Sequence, residues 1–218
     1  MSNFKFKDGT GCQVLGPSGS GKSSLLLRII KYRNELFTPR VPDVVIWCHS
    51  GLEQKTLFQH LKEICPHIKF VVGLEELKKI NFNPKLFHLL VLDDLYVECA
   101  NSDFVNELFY RGNHHLGIFT FLVMHNTFTR GKWSLDIARN SRYAVLFNNK
   151  RDRRGQEAFA RNVAGIKPAD FHEIMRLVTK RNPYGYLVFD LHPATGQDFS
   201  TLTNITPDEL PNIYFHIE

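Results

Sequence analysis

Apolar positions along the chain fall into short runs separated by stretches with helical spacing, from one end to the other. Cys12 to Leu15, Val44 to Trp47, Ile68 to Val72, Leu89 to Leu92, Ile118 to Met124, Tyr143 to Phe147 and Gly185 to Leu191 have the length and composition of strands. Leu25, Leu26, Ile29 and Ile30 share one side of a helix, and Leu57, Phe58 and Leu61 mark a second. Further helices are predicted around Phe104 to Tyr110 and from about Pro168 to Lys180. Several strands, Leu89-Leu90-Val91-Leu92 above all, are apolar at every position. Strands buried on both faces read this way, and strand–helix alternation predicts a mostly parallel sheet covered by helices on both faces. The chain is expected to be a single α/β domain over 1–218, with an irregular tail from about residue 192, Thr201 to Ile217 included.

Composition narrows the class without setting the chemistry. At 218 residues, 43% hydrophobic and 12% aromatic, the chain can bury a full core and is not a disordered segment. Lys and Arg number 27 against 22 Asp and Glu, a net charge of +5 that allows a polyanionic partner without requiring one. Cys12, Cys48, Cys65 and Cys99 form no CxxC pair, so they are expected to be buried, reduced side chains rather than zinc ligands. His114-His115 lacks a third ligand at metal spacing and reads as structural or interfacial. The N-terminal MSNFKFKDGTG has no apolar signal core, and no stretch reaches the roughly 18 apolar residues of a membrane span. A soluble, intracellular protein without a membrane partner is expected.

The chemistry concentrates after the first strand. Gly16-Pro17-Ser18-Gly19-Ser20-Gly21-Lys22-Ser23 matches G-x-x-x-x-G-K-[ST], the phosphate-binding loop. Its glycines let the backbone curl so that N–H groups face phosphate oxygens, and the helix that follows aims its positive end at the same anion. Lys22 is placed to reach the β- and γ-phosphates, and Ser23 offers a hydroxyl to Mg²⁺. ATP and Mg²⁺ are therefore the expected ligands, and the fold class is a P-loop NTPase of the additional-strand type. A glycine-rich turn without a ligand is the bland alternative.

Leu89 to Leu92 runs into Asp93-Asp94. At the carboxyl edge of a parallel sheet such residues lie beside the phosphate loop. Asp93 would hold Mg²⁺; Asp94 would orient or activate the attacking water, or else cap a helix, with Glu98 in reserve for the water. The strand Ile118 to Met124 ends in His125-Asn126. The Asn126 amide could touch the γ-phosphate or the lytic water, or simply bond a neighbouring turn. Arg130, Arg139 and Arg142 follow and include candidates for a finger supplied to a neighbouring subunit, although any one of them could be a solvated surface residue. Lys150-Arg151-Asp152-Arg153-Arg154 is expected as a loop that contacts DNA phosphates, a neighbouring subunit or only water.

Several segments together resemble the FtsK–HerA superfamily, and within it the genome-packaging ATPases of the poxvirus and Polinton (Maverick)/adintovirus type. They are GPSGSGKS at Gly16, VVIWCHS at Val44, LLVLDDL at Leu89, LFYRGNHHLGIFTFLVMHNTF from Leu108, RNSRYAVLFNNKRDRRGQ from Arg139 and PYGYLVFDLHP from Pro183. They cover most of the chain from about Gly11 to Pro193. The phosphate loop is shared widely; the stretches around His114 to Asn126 and Ala144 to Asp152 are more specific. Relatives often carry Gln-Asn where this chain has His125-Asn126, so Asn126 carries over as a sensor of hydrolysis. Many also carry an arginine at the position of Leu135, which leaves the finger to Arg130 or Arg139. The resemblance implies an ATP-driven translocase of double-stranded DNA that fills a viral capsid. It further implies a homo-oligomeric ring, a pentamer or hexamer, and a capsid or portal-vertex partner inside the host cell. A nucleotide kinase, whose phosphate loop is similar, and a non-hydrolysing nucleotide-switched assembly protein are the competing expectations.

Overall fold

The computed structural model describes residues 4–51, 55–127, 130–209 and 211–215. Two short strands, β1 (Phe6–Lys7) and β2 (Gly11–Leu15), open the chain, and β2 feeds the phosphate loop and α1 (Lys22–Lys31). Leu25, Leu26, Ile29 and Ile30 are buried along one side of α1, as their spacing predicts. Each such fully buried aliphatic contributes about 1.5–3 kcal/mol. A short α2 (Arg33–Leu36) leads to β3 (Phe37–Thr38), which pairs in parallel with β1 outside the main sheet. Phe6 and Phe37 then pack their rings on Phe119, closing that end of the core.

The chain continues through β4 (Val44–His49), α3 (Lys55–Ile64), β5 (Lys69–Val72), α4 (Gly73–Lys78) and β6 (His88–Asp93). The helix predicted around Phe104 follows a short α5 (Tyr96–Ala100); it is α6 (Asp103–Glu107), which widens into a π turn over Leu108–Gly112 and ends as α7 (Asn113–His115). Then come β7 (Ile118–Met124), α8 (Ser134–Asn140), β8 (Tyr143–Phe147), α9 (Arg153–Ala164), α10 (Pro168–Arg181) and β9 (Tyr186–Asp190). Last are α11 (Gln197–Ser200), β10 (Thr201–Thr203), a 3₁₀ turn at Pro207–Glu209 and β11 (Ile213–Tyr214).

Among the described residues, nine strands form one sheet in the order β11-β10-β9-β8-β2-β7-β6-β4-β5. From β8 to β5 every neighbouring pair is parallel. One strand, β7, is inserted between the phosphate-loop strand β2 and the acidic strand β6, which is the additional-strand arrangement. Side chains along β6 alternate between the two sides: Leu89 and Val91 join α1 and α3 in one core, while Leu90 and Leu92 join α4, α8, α9 and α10 in the other. Two buried faces explain why the strand is apolar throughout. Among the described residues no helix is long and apolar enough to cross a membrane.

Two expectations are corrected. The stretch from about residue 192 is not irregular throughout: α11, β10 and β11 lie within it, and β10 and β11 extend the sheet beyond β9 as antiparallel strands. Thr201, Leu202 and Thr203 are all buried there, with the Thr203 hydroxyl donating to the Tyr186 carbonyl at 2.6 Å. The basic run is not a loop throughout, because Arg153 and Arg154 form the first turn of α9. Asp152 stops the loop by capping that helix, its carboxylate accepting from the Gly155 N–H at 3.2 Å.

Candidate functional site

Parallel pairing brings the carboxyl ends of β2, β7 and β6 to one edge. Leu15 lies opposite Met124, and β6 continues beside β7 to Asp93. From Leu15 the backbone turns at Gly16, whose N–H donates to the Met124 carbonyl at 3.1 Å, then through a tight turn in which the Ser20 N–H donates to the Pro17 carbonyl. Gly19 and Gly21 hold φ of +75° and +103°, a left-handed conformation that favours glycine. A Cβ at Gly16 would meet Phe147 Cβ at 2.7 Å, so the loop also needs glycine to lie against β8. Gly21 is the N-cap of α1; no side chain caps the helix and no acid sits in its first turn. The helix end therefore keeps its positive dipole available to an anion.

Beside this loop is a cavity of about 1060 Å³, lined by Ser18, Gly19, Gly21, Lys22, Ser23, Asp93, Asp94 and His125, with Ser24, Arg28, Asn182 and Tyr184 completing the wall. The Lys22 ammonium donates to the Gly16 and Pro17 carbonyls at 2.6 and 2.8 Å. Burial lowers its pKa, opposed by the charges of Asp93 and Asp94. Asp93 is only 6% exposed. Burial raises its pKa, and the neighbouring Asp94 raises it further. The Trp47 indole N–H beside the carboxylate pulls it down, as do the charges of Lys22 and His125. A buried carboxylate in this setting gains from a cation beside it. Asp94 sits at φ +58°, a left-handed conformation that Asp tolerates better than most residues. Its carboxylate lies 3.1 Å from His125 Nε2.

These groups suit a polyphosphate carrying a divalent cation: a glycine cradle with an uncapped helix end for the anion, the Ser23 hydroxyl and Asp93 carboxylate as hard oxygen donors for Mg²⁺, and room for a ligand of nucleotide size. Within the predicted set, Lys22, Ser23, Asp93 and Asp94 share the cavity with Ser18, Gly19 and Gly21, while Gly16, Pro17 and Ser20 shape the loop behind it. Asn126 is exposed and lines an adjoining cleft with Pro17, Ser18, Asn149, Arg151 and Asp152. Its neighbour His125 lines both that cleft and the main cavity. Glu98 is exposed on α5, outside the cavity wall. Arg142 forks onto Asp190, both contacts 3.2 Å, whereas Arg130 and Arg139 are exposed beside Leu135 at a second cavity of about 820 Å³.

Four cavity residues, Ser24, Arg28, Asn182 and Tyr184, carry no role in the sequence reading. Arg28 follows Ser24 by four positions, so the polar side of α1 was a usable signal. Asn182 and Tyr184 precede β9 and reach this edge because β9 runs antiparallel, which a pattern of apolar residues does not disclose.

No known family and no curated protein matches the chain. Among solved structures, EssC (ATPases 2 and 3) from Geobacillus thermodenitrificans is similar at TM-score 0.51 and 15% identity, covering 91% of this chain and 39% of that one. A KaiC-like protein from the hyperthermophilic archaeon Pyrococcus horikoshii is matched at TM-score 0.47 and 11% identity, over 95% of this chain and 90% of that one. The chain thus spans well under half of the EssC chain it resembles. The fold is that of the P-loop ATPases: α/β, with a large, mostly parallel sheet between helices.

Proposed function

We propose that the chain hydrolyses Mg-ATP and uses the energy to drive double-stranded DNA, packaging a viral genome into a capsid as a homo-oligomeric ring, a pentamer or hexamer. The observation that carries the hydrolytic part is that Lys22, Ser23, Asp93 and Asp94 line one cavity against the glycine loop. In this reading the loop N–H groups and Lys22 bind the β- and γ-phosphates, and Lys22 takes up charge that develops on the transferring phosphoryl group. Ser23 and Asp93 hold Mg²⁺, which when bound neutralises phosphate charge and fixes the phosphate geometry. Asp94 orients water for attack and receives its proton, with His125 steadying the carboxylate. Asn126, at the mouth between the loop and α9, stays the candidate that reports the state of the γ-phosphate to the neighbouring cleft.

The motor part is supported by the family resemblance, and by the exposed Lys150, Arg151, Arg153 and Arg154, of which Arg151 shares a cleft with Pro17 and Ser18 of the phosphate loop. A partner read only through its phosphates would be bound without base specificity. The capsid or portal-vertex partner and the location in the host cell belong to the same reading. Phosphate release should be slow for the protein alone and rise several-fold with double-stranded DNA at low salt. Lys22→Ala should abolish it. A DNA-independent rate would remove the motor, and full turnover in Lys22→Ala would remove the assigned site.

A further inference from the structure

The cavity has two flanks, and only one carries the chemistry just described. The sheet order β9-β8-β2-β7-β6 puts Asp93, Asp94 and His125 on the β6–β7 side of the phosphate loop. On the other side lies the turn before β9, whose first residue, Tyr186, pairs with Phe147 at the end of β8. A triphosphate bound with its γ end toward the carboxylates therefore points its other end at this turn.

The turn presents an aromatic ring there. Tyr184 is 60% exposed and lines the cavity. A Cβ added at Gly21 would lie 3.3 Å from Tyr184 Cβ and 3.6 Å from its Cδ1, so the ring borders the loop itself. The turn is held firmly: the Tyr184 N–H donates to Asn182 Oδ1 at 3.0 Å, and the Gly185 N–H to the Asn182 carbonyl at 2.8 Å. Gly185 is pressed onto α10, where a Cβ would come within 2.6 Å of Val178 Cγ1. A large aromatic carried on a hydrogen-bonded turn, and open to water at the edge of a polar cavity, is suited to receive a flat apolar face.

We propose that Tyr184 is the platform on which the base of the bound nucleotide stacks, and that the site takes purine nucleoside triphosphates with little preference between adenine and guanine. The second half follows from the first: stacking reads the π-face, not the edge that carries the identity of the base, and a purine offers the larger face to stack. Asn182, the side-chain amide in the cavity wall, spends its oxygen on the Tyr184 N–H. The proposal rests on the cavity being a nucleotide site.

Calorimetric titration of the full chain with Mg-ATP, Mg-GTP and Mg-tripolyphosphate separates the two ideas, because tripolyphosphate has the anion without the base. Tyr184→Ala should weaken ATP and GTP alike, about ten- to a hundredfold, and leave tripolyphosphate unchanged. Tyr184→Phe should keep wild-type affinities, and Lys22→Ala should weaken all three ligands. Unchanged ATP affinity in Tyr184→Ala overturns the stacking platform, as does an equal loss for tripolyphosphate. A wild-type preference for ATP over GTP that survives Tyr184→Ala places base reading elsewhere and overturns it too. If wild-type protein binds neither ATP nor tripolyphosphate, the nucleotide site itself is wrong and the platform falls with it.

Discussion

The carboxylate of Asp152 accepts from two elements at once: from the Gly155 N–H at 3.2 Å, and from the Thr127 hydroxyl at 2.6 Å. The first contact starts α9; the second ties that start to the chain leaving β7, two residues beyond His125. Gly155 leaves room for both, since a Cβ there would stand 2.5 Å from Thr127 Oγ1. Gly155→Ala therefore has to break the cap or push Thr127 away, although its backbone conformation would accept alanine. We expect a loss of about 1–3 kcal/mol, from the cap and from steric displacement together. Asp152→Ala should cost about 0.5–2 kcal/mol from the lost cap, and it removes the acceptor of the Thr127 hydroxyl as well. In a chain of this size each kcal/mol lowers Tm by about 2–4 °C. Thermal melts of both variants check this, and an unchanged Tm for Gly155→Ala would show that the junction relaxes freely.

At the scale of elements, the long apolar strands and α1 could be read directly because burial on two faces imposes a pattern that few other structures share. The phosphate loop and Asp93 could be read for the same kind of reason: each is a local run whose chemistry requires contiguous residues. What lay outside that logic was short or depended on partners distant in sequence. The strand β10 has only Thr201, Leu202 and Thr203, too few to show a period, and is a strand because β9 and β11 flank it. The helix α9 was hidden by the charged residues with which it begins; Phe159 and Ala160 are its buried apolar side chains. Glu209 illustrates the distance problem. It binds Arg28 of α1 at 2.6 Å and accepts from the Thr206 hydroxyl at 2.8 Å and from the Tyr186 hydroxyl, joining the C-terminal segment to the helix behind the phosphate loop. Arg28 and Glu209 side chains are 26% and 11% exposed, so the pair is shielded more than a surface bridge. Glu209→Gln should destabilise the fold by about 1–3 kcal/mol, chiefly by leaving Arg28 and the Tyr186 hydroxyl with a weaker acceptor. Urea unfolding gives the value. If the midpoint does not move, the C-terminal segment is only resting on α1.

For the whole molecule, the arginines decide whether one chain can form a complete catalytic site. Arg142 is committed to Asp190 within its own chain, so it serves the fold rather than a neighbour. Arg130 and Arg139 remain exposed at a cavity lined by α8 and α9, separate from the one holding Lys22. An arginine outside the chain's own cavity is a candidate to act on a phosphoryl group in another subunit, and such a contribution is worth roughly 10³–10⁵ in rate where it has been isolated. In the proposed ring, turnover per chain should then rise steeply with protein concentration as subunits assemble. A mixing experiment isolates the cause. Lys22→Ala chains lack the charge clamp but keep both exposed arginines; chains carrying Arg130→Ala and Arg139→Ala together keep the clamp. Each variant alone should be nearly inactive. Mixed, they place an intact arginine beside an intact phosphate loop at a fraction of the interfaces, so part of the activity should return. Recovery that depends on total concentration would locate the finger on the α8 side of the neighbour. A double-arginine variant that turns over at the wild-type rate by itself would mean that each chain completes its own site, and that assembly serves the DNA rather than the chemistry.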